Sequence, residues 1–187
     1  MREIRFHGRG GQGTVVASVV LAKAFFRAGW FVQTFPVFGV ERRGAPVEAY
    51  LRLDDRKIRV RSNVYTPDHV VVQDPRLLDT VDVTRGLKSG GWILLNAAER
   101  PGDPRFADFR VAVVDAGRIA LENRLGSRTQ PIINTAMLGA FARVLDAPPI
   151  ADVEAAIVEE IPVKPEANCR AARMAYDAVD LGTEVAA

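Results

Sequence analysis

The sequence predicts an α/β fold of the three-layer α/β/α type, with a Rossmann-like, doubly wound mixed sheet that contains one β-hairpin. Three observations support this prediction. At the N-terminus, a short apolar strand runs into a glycine-rich turn and a helical pattern. Nearly continuous apolar runs then recur at 69–73, 92–95 and 110–114, which is typical of strands covered on both faces. Helical or turn-rich segments separate these runs, as a crossover topology requires.

The N-terminal third of the chain contains the first two strands and the first helix. The first strand is predicted at 3–7. The helix is predicted over 14–28, rich in Ala, Val and Leu and therefore mostly buried, with Gly29 at its C-terminal cap. The second strand is predicted at 30–35. A strand, a glycine turn, a helix and a strand in this order begin a nucleotide-binding type of fold.

The hairpin is predicted from two alternating segments. In 47–53 the apolar residues alternate with Glu48, Tyr50 and Arg52, which indicates a half-buried strand. In 57–61 Ile58 and Val60 alternate with three cationic residues. Because two aspartates form a turn between the segments, we expect them to pair as antiparallel strands.

The C-terminal part of the chain is predicted to be helical. Apolar residues recur at helical spacing over 131–145, with Pro131 in the first turn, and two further helices are predicted at 152–160 and 166–179. No linker divides the chain, so residues 1–187 form a single predicted domain that includes the helices from about 151, and the tail 182–187 is expected to fray.

Composition limits the possible functions. Of 187 residues, 48% are hydrophobic and 26% are charged, as in a globular protein with a sizeable core. A formal net charge of +2 does not indicate nucleic acid binding. No apolar stretch reaches a membrane span and no signal peptide pattern is present, so we predict a cytoplasmic protein. Positive charge is nevertheless concentrated in one region, where we expect any anionic partner to bind: Arg42, Arg43, Arg52, Arg56, Lys57, Arg59 and Arg61.

The glycine-rich turn after the first strand predicts a phosphate-binding site. Gly8, Gly10 and Gly13 have the spacing G-x-G-x-x-G, which lets backbone N–H groups approach an anion at the start of a helix. A nicotinamide-binding fold would also carry an acidic residue at the end of its second strand, and none is present in 30–35. The motif alone therefore leaves open another phosphate-bearing ligand, or glycines that only shape the turn.

A second candidate site is the loop at 36–46, which carries Glu41, Arg42 and Arg43 between glycines. Adjacent guanidinium groups can bind a phosphate or carboxylate through paired N–H groups, and the loop follows a strand end. An exposed loop with an internal ion pair is the equally weighted alternative.

No catalytic or metal-binding arrangement is evident. His7 precedes the glycines directly, but no carboxylate or nucleophile is placed beside it, so a structural histidine is the preferred interpretation, as for His69. Cys169, the single cysteine, is interpreted as an inert thiol, and one cysteine cannot hold an iron–sulfur cluster. The chain therefore has the features of a binding half that lacks a catalytic half.

Four segments in the same order resemble one family. They are Gly8 to Gly13, the loop Phe38 to Pro46, the segment Asn134 to Ala140, and Asn168 to Tyr176. Together they resemble the gamma subunit, or domain III, of the 2-oxoacid:acceptor (pyruvate:ferredoxin) oxidoreductases over nearly the whole chain. The combination of G-x-G-G-Q-G with E-x-R-G-x-P is specific, where either motif alone is not.

The resemblance implies a non-catalytic subunit of an enzyme that converts a 2-oxoacid and coenzyme A (CoA) to acyl-CoA and carbon dioxide. It implies alpha, beta and ferredoxin-like delta subunits as partners, which would hold thiamine diphosphate, Mg²⁺ and [4Fe-4S] clusters. Electrons would pass to ferredoxin, or to NAD through a flavin subunit. This chain would hold no cofactor alone, and the oxoacid is not determined by it.

Within such a complex we expect the chain to contribute to assembly and to CoA positioning. Two other functions stay open at this stage, namely a freestanding nucleotide-dependent oxidoreductase and a pure interaction module. The candidate ligand-binding residues are Gly8, Arg9, Gly10, Gly11, Gln12, Gly13, Thr14, Glu41, Arg42, Arg43 and Gly44. No catalytic and no metal-binding residue is predicted.

Overall fold

A computed structural model describes residues 1–37 and 44–182. The strands are β1 Arg2–Arg9, β2 Phe31–Val37, β3 Pro46–Asp54, β4 His69–Val72, β5 Trp92–Asn96 and β6 Arg110–Val114. The α-helices are α1 Thr14–Arg27, α2 Ala116–Glu122, α3 Asn134–Leu145, α4 Ile150–Glu160 and α5 Pro165–Ala178. Two short 3₁₀ helices lie at Pro75–Asp79 and Pro104–Phe106.

The strands form one mixed sheet of six strands in the order β2-β3-β1-β4-β5-β6. Strands β1, β4, β5 and β6 are parallel neighbours, whereas β3 is antiparallel to both β1 and β2. The α/β class and the mixed sheet with one hairpin are thus confirmed. Since the carboxyl ends of β1, β4 and β5 lie at one edge, that edge can form a ligand crevice.

One face of the sheet is covered by helices. Side chains of β1, β3, β4, β5 and β6 pack with residues from all five α-helices in one apolar cluster, centred on residues such as Phe6, Phe25 and Phe141. Burial of each large apolar side chain contributes about 1.5–3 kcal/mol. Because α4 and α5 belong to the same cluster as α1, the C-terminal helices pack onto the core that the N-terminal helix begins.

On the opposite face, the half formed by β4, β5 and β6 is covered by the connections between these strands. Over β4, β5 and β6, Val70, Ile93 and Val113 pack against Val83 and Phe106, which come from the connections between these strands. Those connections contain the 3₁₀ helices and turns, and no α-helix is assigned to them. The predicted outer layer on this face is therefore built from turns rather than α-helices.

The predicted pairing of 47–53 with 57–61 is wrong. Strand β3 already pairs with β1 on one edge and β2 on the other, from Arg2 opposite Leu53 and Phe31 opposite Asp54. No edge of β3 is left for a further strand, and 57–61 adopts irregular backbone. The hairpin of this fold is instead formed by the consecutive strands β2 and β3.

Most other boundaries agree with the predictions to within two residues, including the end of α1 beside Gly29, which has a φ of 90°. The start of α3 is an exception. The helix begins at Asn134, and Pro131 forms an isolated bridge with Gly126, so Pro131 is not in its first turn. Helix α2 was not predicted, because its seven residues are too short for a clear helical period.

No helix in the described ranges is both long and apolar enough to cross a membrane. The C-terminus is fixed as far as Asp180, whose backbone exchanges two hydrogen bonds with Val113 of β6 at 2.9 Å each. Of the tail expected to fray, only residue 182 lies within the described residues, where its N–H donates to Asp180 Oδ1.

Candidate functional site

The glycine turn links three elements of the fold. Gly11 and Gly13 have φ of 95° and 70°, in the left-handed region that favours glycine, and Gly13 directly precedes α1. The N–H of Gly10 donates to the carbonyl oxygen of Ala45 at 2.9 Å. In return, the N–H of Gly44 donates to the carbonyl oxygen of Gly10 at 3.1 Å. The turn is therefore held against the start of β3, which places Gly44 beside it.

Gly8 has a different role. A glycine is needed there for close packing, and not for a left-handed backbone conformation. A Cβ at this position would lie 2.0 Å from Thr14 Oγ1 and 2.7 Å from Gln73 Oε1. Thr14 donates a hydrogen bond of 2.7 Å to Gln73 Oε1 across the same space. The absence of a side chain at Gly8 thus allows the first residue of α1 to contact the end of β4.

The position of the turn is fixed by hydrogen bonds and an ion pair that involve Arg9, Gln12 and Asp74. The N–H of Arg9 donates to Gln12 Oε1 at 2.8 Å, and Gln12 Nε2 donates to Asp74 Oδ2 at 3.1 Å. Arg9 Nη1 donates to the carbonyl oxygen of Gly44, and its Nε lies 3.0 Å from Asp74 Oδ2. Burial of Asp74 opposes ionisation, but hydrogen bonds from Arg76 outweigh it and hold the pKa of Asp74 below its usual value. Two predicted ligand-binding residues, Arg9 and Gln12, therefore serve to shape the site.

A cleft of about 960 Å³ opens at this edge of the sheet. It lies at the carboxyl ends of β1, β4 and β5, where ligands bind in open α/β sheets. Its floor and walls come from the turn, the ends of these strands and the segment before α3. The lining residues are Arg9, Gly10, Gly11, Gln12, Gly13, Gly44, Gln73, Asp74, Pro75, Arg76, Asn96, Gly126, Ser127, Thr129, Gln130, Pro131, Ile132, Ile133 and Asn134.

The cleft contains hydrogen-bond donors that the protein itself does not use. Gln73 is fully buried, and its Nε2 is one of two buried side-chain atoms among the described residues without a hydrogen-bond partner. Nearby, the backbone N–H groups of Gly11, Gly13 and Thr14 have no acceptor among the residues that the structure describes. Since an unpaired buried donor costs about 1–3 kcal/mol, Gln73 indicates an acceptor group in the cleft.

A second helix begins at the same cleft. Asn134, at the start of α3, is buried, and its Nδ2 would lie 2.8 Å from a Cβ at Gly13. The N-termini of α1 and α3 therefore both approach the turn, and each favours a negative group. The cleft can bind an anion with hydrogen-bond donors from two helices and one side chain.

The structure brings most of the predicted ligand-binding residues together. Arg9, Gly44 and the turn from Gly10 to Gly13 line the cleft, whereas Gly8 and Thr14 lie just beneath it. Glu41, Arg42 and Arg43 lie outside the described residues. Sequence reasoning missed Gln73, Asp74, Arg76, Asn96 and Asn134. The first four lie at or shortly after the carboxyl ends of β4 and β5, so the strand-end rule could have identified them.

A second group of polar side chains, buried or half-buried, lies on the sheet face that the α-helices leave uncovered, and we name it the sheet-face cluster. Its members come from adjacent strands and satisfy one another. Arg52 Nε donates to Glu3 Oε1 at 2.8 Å and its Nη1 to Gln33 Oε1 at 3.1 Å, while Nη2 donates to the carbonyl oxygens of Ser62 and Asn63. The cluster comprises Glu3, Arg5, His7, Gln33, Glu48, Tyr50 and Arg52.

His7 belongs to this cluster and not to the cleft. Arg5 Nε donates to His7 Nε2 at 2.9 Å, while Arg5 Nη2 donates to the carbonyl oxygens of Val83 and Arg85. Burial, and then the charge of Arg5, lower the pKa of His7 to about 3. The imidazole is therefore neutral and in contact with an arginine, which makes it a structural histidine.

His69 and Cys169 also have structural surroundings. His69 Nδ1 accepts a hydrogen bond from the N–H of Trp92, and burial lowers the pKa of His69 to about 4. Cys169 Sγ donates to the carbonyl oxygen of Glu154, and burial raises the pKa of its thiol. In the described ranges, no three His, Cys, Asp or Glu side chains converge as metal ligands would.

The predicted basic region divides into two parts. Arg52 is fully buried and paired, so it is not available to an anionic partner. Arg56, Lys57, Arg59 and Arg61 are exposed. Only this exposed part of the described region can meet another molecule.

Comparison with known proteins gives full-length matches. The profile of the pyruvate ferredoxin/flavodoxin oxidoreductase family matches residues 3–178. The pyruvate synthase subunit PorC of Methanothermobacter thermautotrophicus is 52% identical over 181 residues, covering 96% of this chain and 97% of that protein. The pyruvate/ketoisovalerate oxidoreductases common subunit gamma of Thermococcus litoralis is 49% identical over 182 residues, covering 95% of this chain and 96% of that protein.

A solved structure has the same fold. The crystal structure of the pyruvate oxidoreductase subunit PORC from Thermotoga maritima superposes with a TM-score of 0.80 at 37% identity. The match covers 96% of this chain and 97% of that one. The overall fold thus occurs, over nearly its whole length, in that chain as well.

Proposed function

Because the chain belongs to the pyruvate ferredoxin/flavodoxin oxidoreductase family, as the gamma subunit of a 2-oxoacid oxidoreductase complex, we propose that its cleft binds CoA within that complex. The observation that carries the proposal is the set of unused donors in the cleft, above all Gln73 Nε2. In the reaction, a 2-oxoacid and CoA give acyl-CoA and carbon dioxide, and two electrons pass to the acceptor. The role of this chain is to hold and orient CoA.

The donors in the cleft match the chemistry of a phosphate-bearing ligand. The unpaired N–H groups of Gly11, Gly13 and Thr14 can donate to phosphate oxygens at the N-terminus of α1, and the helix dipole favours the charge by about 0.3–1 kcal/mol. Gln73 Nε2 can donate to a phosphate or a carbonyl oxygen. A volume of about 960 Å³ is at the upper end for small-molecule sites, as a long ligand requires.

The chemistry of bond cleavage is assigned to other subunits. His7 is buried and His69 is half-buried; both have lowered pKa values and hydrogen bonds to neighbouring groups, so neither is placed for proton transfer in the cleft. One cysteine cannot supply the four thiolates of a [4Fe-4S] cluster. We therefore place thiamine diphosphate, Mg²⁺ and the clusters on alpha, beta and delta partner subunits, in a cytoplasmic complex.

The identity of the oxoacid is assigned to those partners as well. The relative in Thermococcus litoralis is a subunit common to pyruvate and ketoisovalerate oxidoreductases, which supports a gamma subunit that does not select the oxoacid. Ferredoxin, or NAD through a flavin subunit, is the proposed acceptor. On this proposal, exchanging this chain for that relative's would leave the oxoacid preference of an assembled complex unchanged.

A freestanding NAD-dependent oxidoreductase fits the geometry less well. In a dinucleotide-binding fold the second strand lies beside the first and carries the acid that binds the ribose. Here β3 lies between β1 and β2, so β2 is about 10 Å from β1 at the usual strand spacing of about 4.8 Å. A pure interaction module leaves the unpaired Gln73 donor unexplained.

The experiment that tests CoA binding is the double variant Arg42→Ala/Arg43→Ala, measured in the assembled complex. These residues directly precede Gly44, which lies against the glycine turn. Losing charge-assisted contacts worth roughly 1.5–3 kcal/mol should raise the KM for CoA about ten- to hundredfold and leave the KM for the oxoacid unchanged. The control is Arg124→Ala/Arg170→Ala, which removes two exposed arginines elsewhere. An unchanged KM for CoA in a fully assembled double variant would overturn the proposal.

A further inference from the structure

The segment 57–61 has the sequence of a strand but not the structure of one. Lys57, Arg59 and Arg61 alternate with Ile58 and Val60, which is the period of a β-strand with one cationic and one apolar side. The backbone of 57–61 is nevertheless irregular throughout. Ile58 is half-buried and Val60 is 39% exposed, so the apolar side is only partly covered.

Its backbone is also unpaired. Within the part of the chain that the structure describes, no N–H or C=O group of 57–61 has a hydrogen-bond partner, and its three cations have no ion pair. The nearest strand in sequence, β3, is paired on both edges and cannot accept it. Five consecutive residues therefore offer a strand's full set of donors and acceptors to solvent.

We propose that 57–61 pairs as a β-strand with an acidic, extended segment of another subunit in the oxidoreductase complex. This inference rests on the subunit assignment, but not on CoA binding. Backbone hydrogen bonds would supply affinity, as they do wherever a peptide adds a strand, and carboxylates opposite Lys57, Arg59 and Arg61 would supply specificity. Ile58 and Val60 would be covered on the opposite side.

The charge pattern favours an acidic partner. Between residues 56 and 61 there are four cationic residues and no acidic one, and all four are exposed. Like charges at alternate positions of an unpaired strand repel one another, and carboxylates at the facing positions of a second strand relieve that repulsion. A partner strand with cationic or purely apolar residues at those positions would not.

The first test reverses two charges. Arg59→Glu/Arg61→Glu should raise the apparent Kd of this chain for the remaining subunits about tenfold or more, measured by size-exclusion chromatography and interferometry. Circular dichroism and the Tm of the isolated chain should not change, because these side chains have no internal partner. The matched control is Arg124→Glu/Arg170→Glu, which makes the same change of charge at two other exposed arginines. Equal weakening by both pairs, or none by either, would overturn the proposal.

The second test removes a backbone donor without changing charge. Val60→Pro deletes one N–H and disfavours an extended pairing, whereas Val60→Thr keeps the N–H and a β-branched side chain. We expect Val60→Pro to weaken assembly severalfold, and Val60→Thr to leave it near normal. Amide hydrogen exchange at 57–61 should slow in the complex.

These outcomes are separable from those of CoA binding. Complexes that do form with Arg59→Glu/Arg61→Glu should keep the normal KM for CoA, whereas a raised KM with intact assembly would overturn the strand proposal. Normal assembly of Val60→Pro with fast exchange at 57–61 would also overturn it.

Discussion

Two groups of buried and half-buried polar side chains lie on the same sheet, and they differ in how fully their hydrogen-bonding atoms are paired. In the sheet-face cluster, Arg52 donates to two side chains and two carbonyl oxygens, and Arg5 donates to His7 and two carbonyl oxygens. At the cleft, Gln73 accepts from Thr14, but its Nε2 has no partner within the described ranges. Among the described residues, every buried side-chain nitrogen and oxygen atom of the first group has a hydrogen-bond partner, whereas the second group keeps an unpaired donor.

This difference predicts which of the two groups stabilises the fold and which one binds a ligand. Buried polar groups that satisfy one another hold a particular structure, and removing one member leaves the others unpaired in a medium of low polarity. A buried donor left open is tolerated where a ligand completes it. We therefore expect substitutions in the sheet-face cluster to lower stability, and substitutions at the cleft to change the KM for CoA.

The largest effect is expected for Arg52→Ala. The substitution removes a fully buried guanidinium and leaves Glu3 without its partner, so the free energy of unfolding should fall by about 3–5 kcal/mol. Urea denaturation of the isolated chain measures it. Arg105→Ala is the matched control, because Arg105 pairs with Asp103 on the surface, where such a pair contributes about 0–1 kcal/mol. Similar losses in both variants would show that the sheet-face cluster is not a stabilising unit.

The next effect concerns the contact between α1 and β4. In Gly8→Ala the new Cβ would lie 2.0 Å from Thr14 Oγ1, so overpacking should cost about 1–3 kcal/mol and displace the Gln73 side chain. Gly102→Ala is the control, since a Cβ there meets nothing within 4 Å and should change stability by less than about 0.5 kcal/mol. The difference in Tm between the two variants is the measurement. Equal Tm values would mean that the turn adjusts freely and that Gly8 does not shape the site.

A third effect, smaller for each unit of pH, is the dependence of stability on pH. The folded chain keeps His7 neutral down to a pKa of about 3, while the unfolded chain binds a proton near the ordinary value of 6.5. Between these values the unfolded state binds more protons. The contribution of His7 to the free energy of unfolding is therefore fully present above pH 6.5 and decreases as the pH falls toward 3. The limiting slope is about 1.4 kcal/mol per pH unit for each such histidine, and His69 adds to it down to about pH 4.

His7→Gln checks this source of pH dependence. The variant should show a shallower loss of stability between pH 7 and pH 5 than the unmodified chain, in urea denaturation at each pH. Titration of the His7 imidazole by NMR provides an independent measurement, and an apparent pKa above 5 in the folded chain would contradict the assignment.

The same comparison explains what the sequence could predict. The glycine turn, α1 and the buried strands follow from local patterns, because Gly10 to Gly13 and the apolar runs encode their conformations directly. The partners of β3 could not be predicted, since both β2 and 57–61 are compatible with a strand and only the whole sheet decides which one pairs. Gln73 and Asn134 come together at the cleft through tertiary packing, which no local spacing records.

The smallest expected effect separates the two groups most sharply, because it uses the same substitution in each. Gln73→Leu removes an unpaired buried donor together with one hydrogen bond to Thr14, so these terms nearly cancel and stability should change by less than about 1 kcal/mol. In the assembled complex the KM for CoA should rise about three- to tenfold, as for one lost hydrogen bond. Gln33→Leu should do the opposite, because it deprives buried Arg52 of an acceptor at 3.1 Å and lies away from the cleft. A stability loss of about 1–2 kcal/mol with a normal KM is expected there. If Gln73→Leu destabilised the chain and left the KM unchanged, the open donor would be a packing defect rather than part of a ligand site.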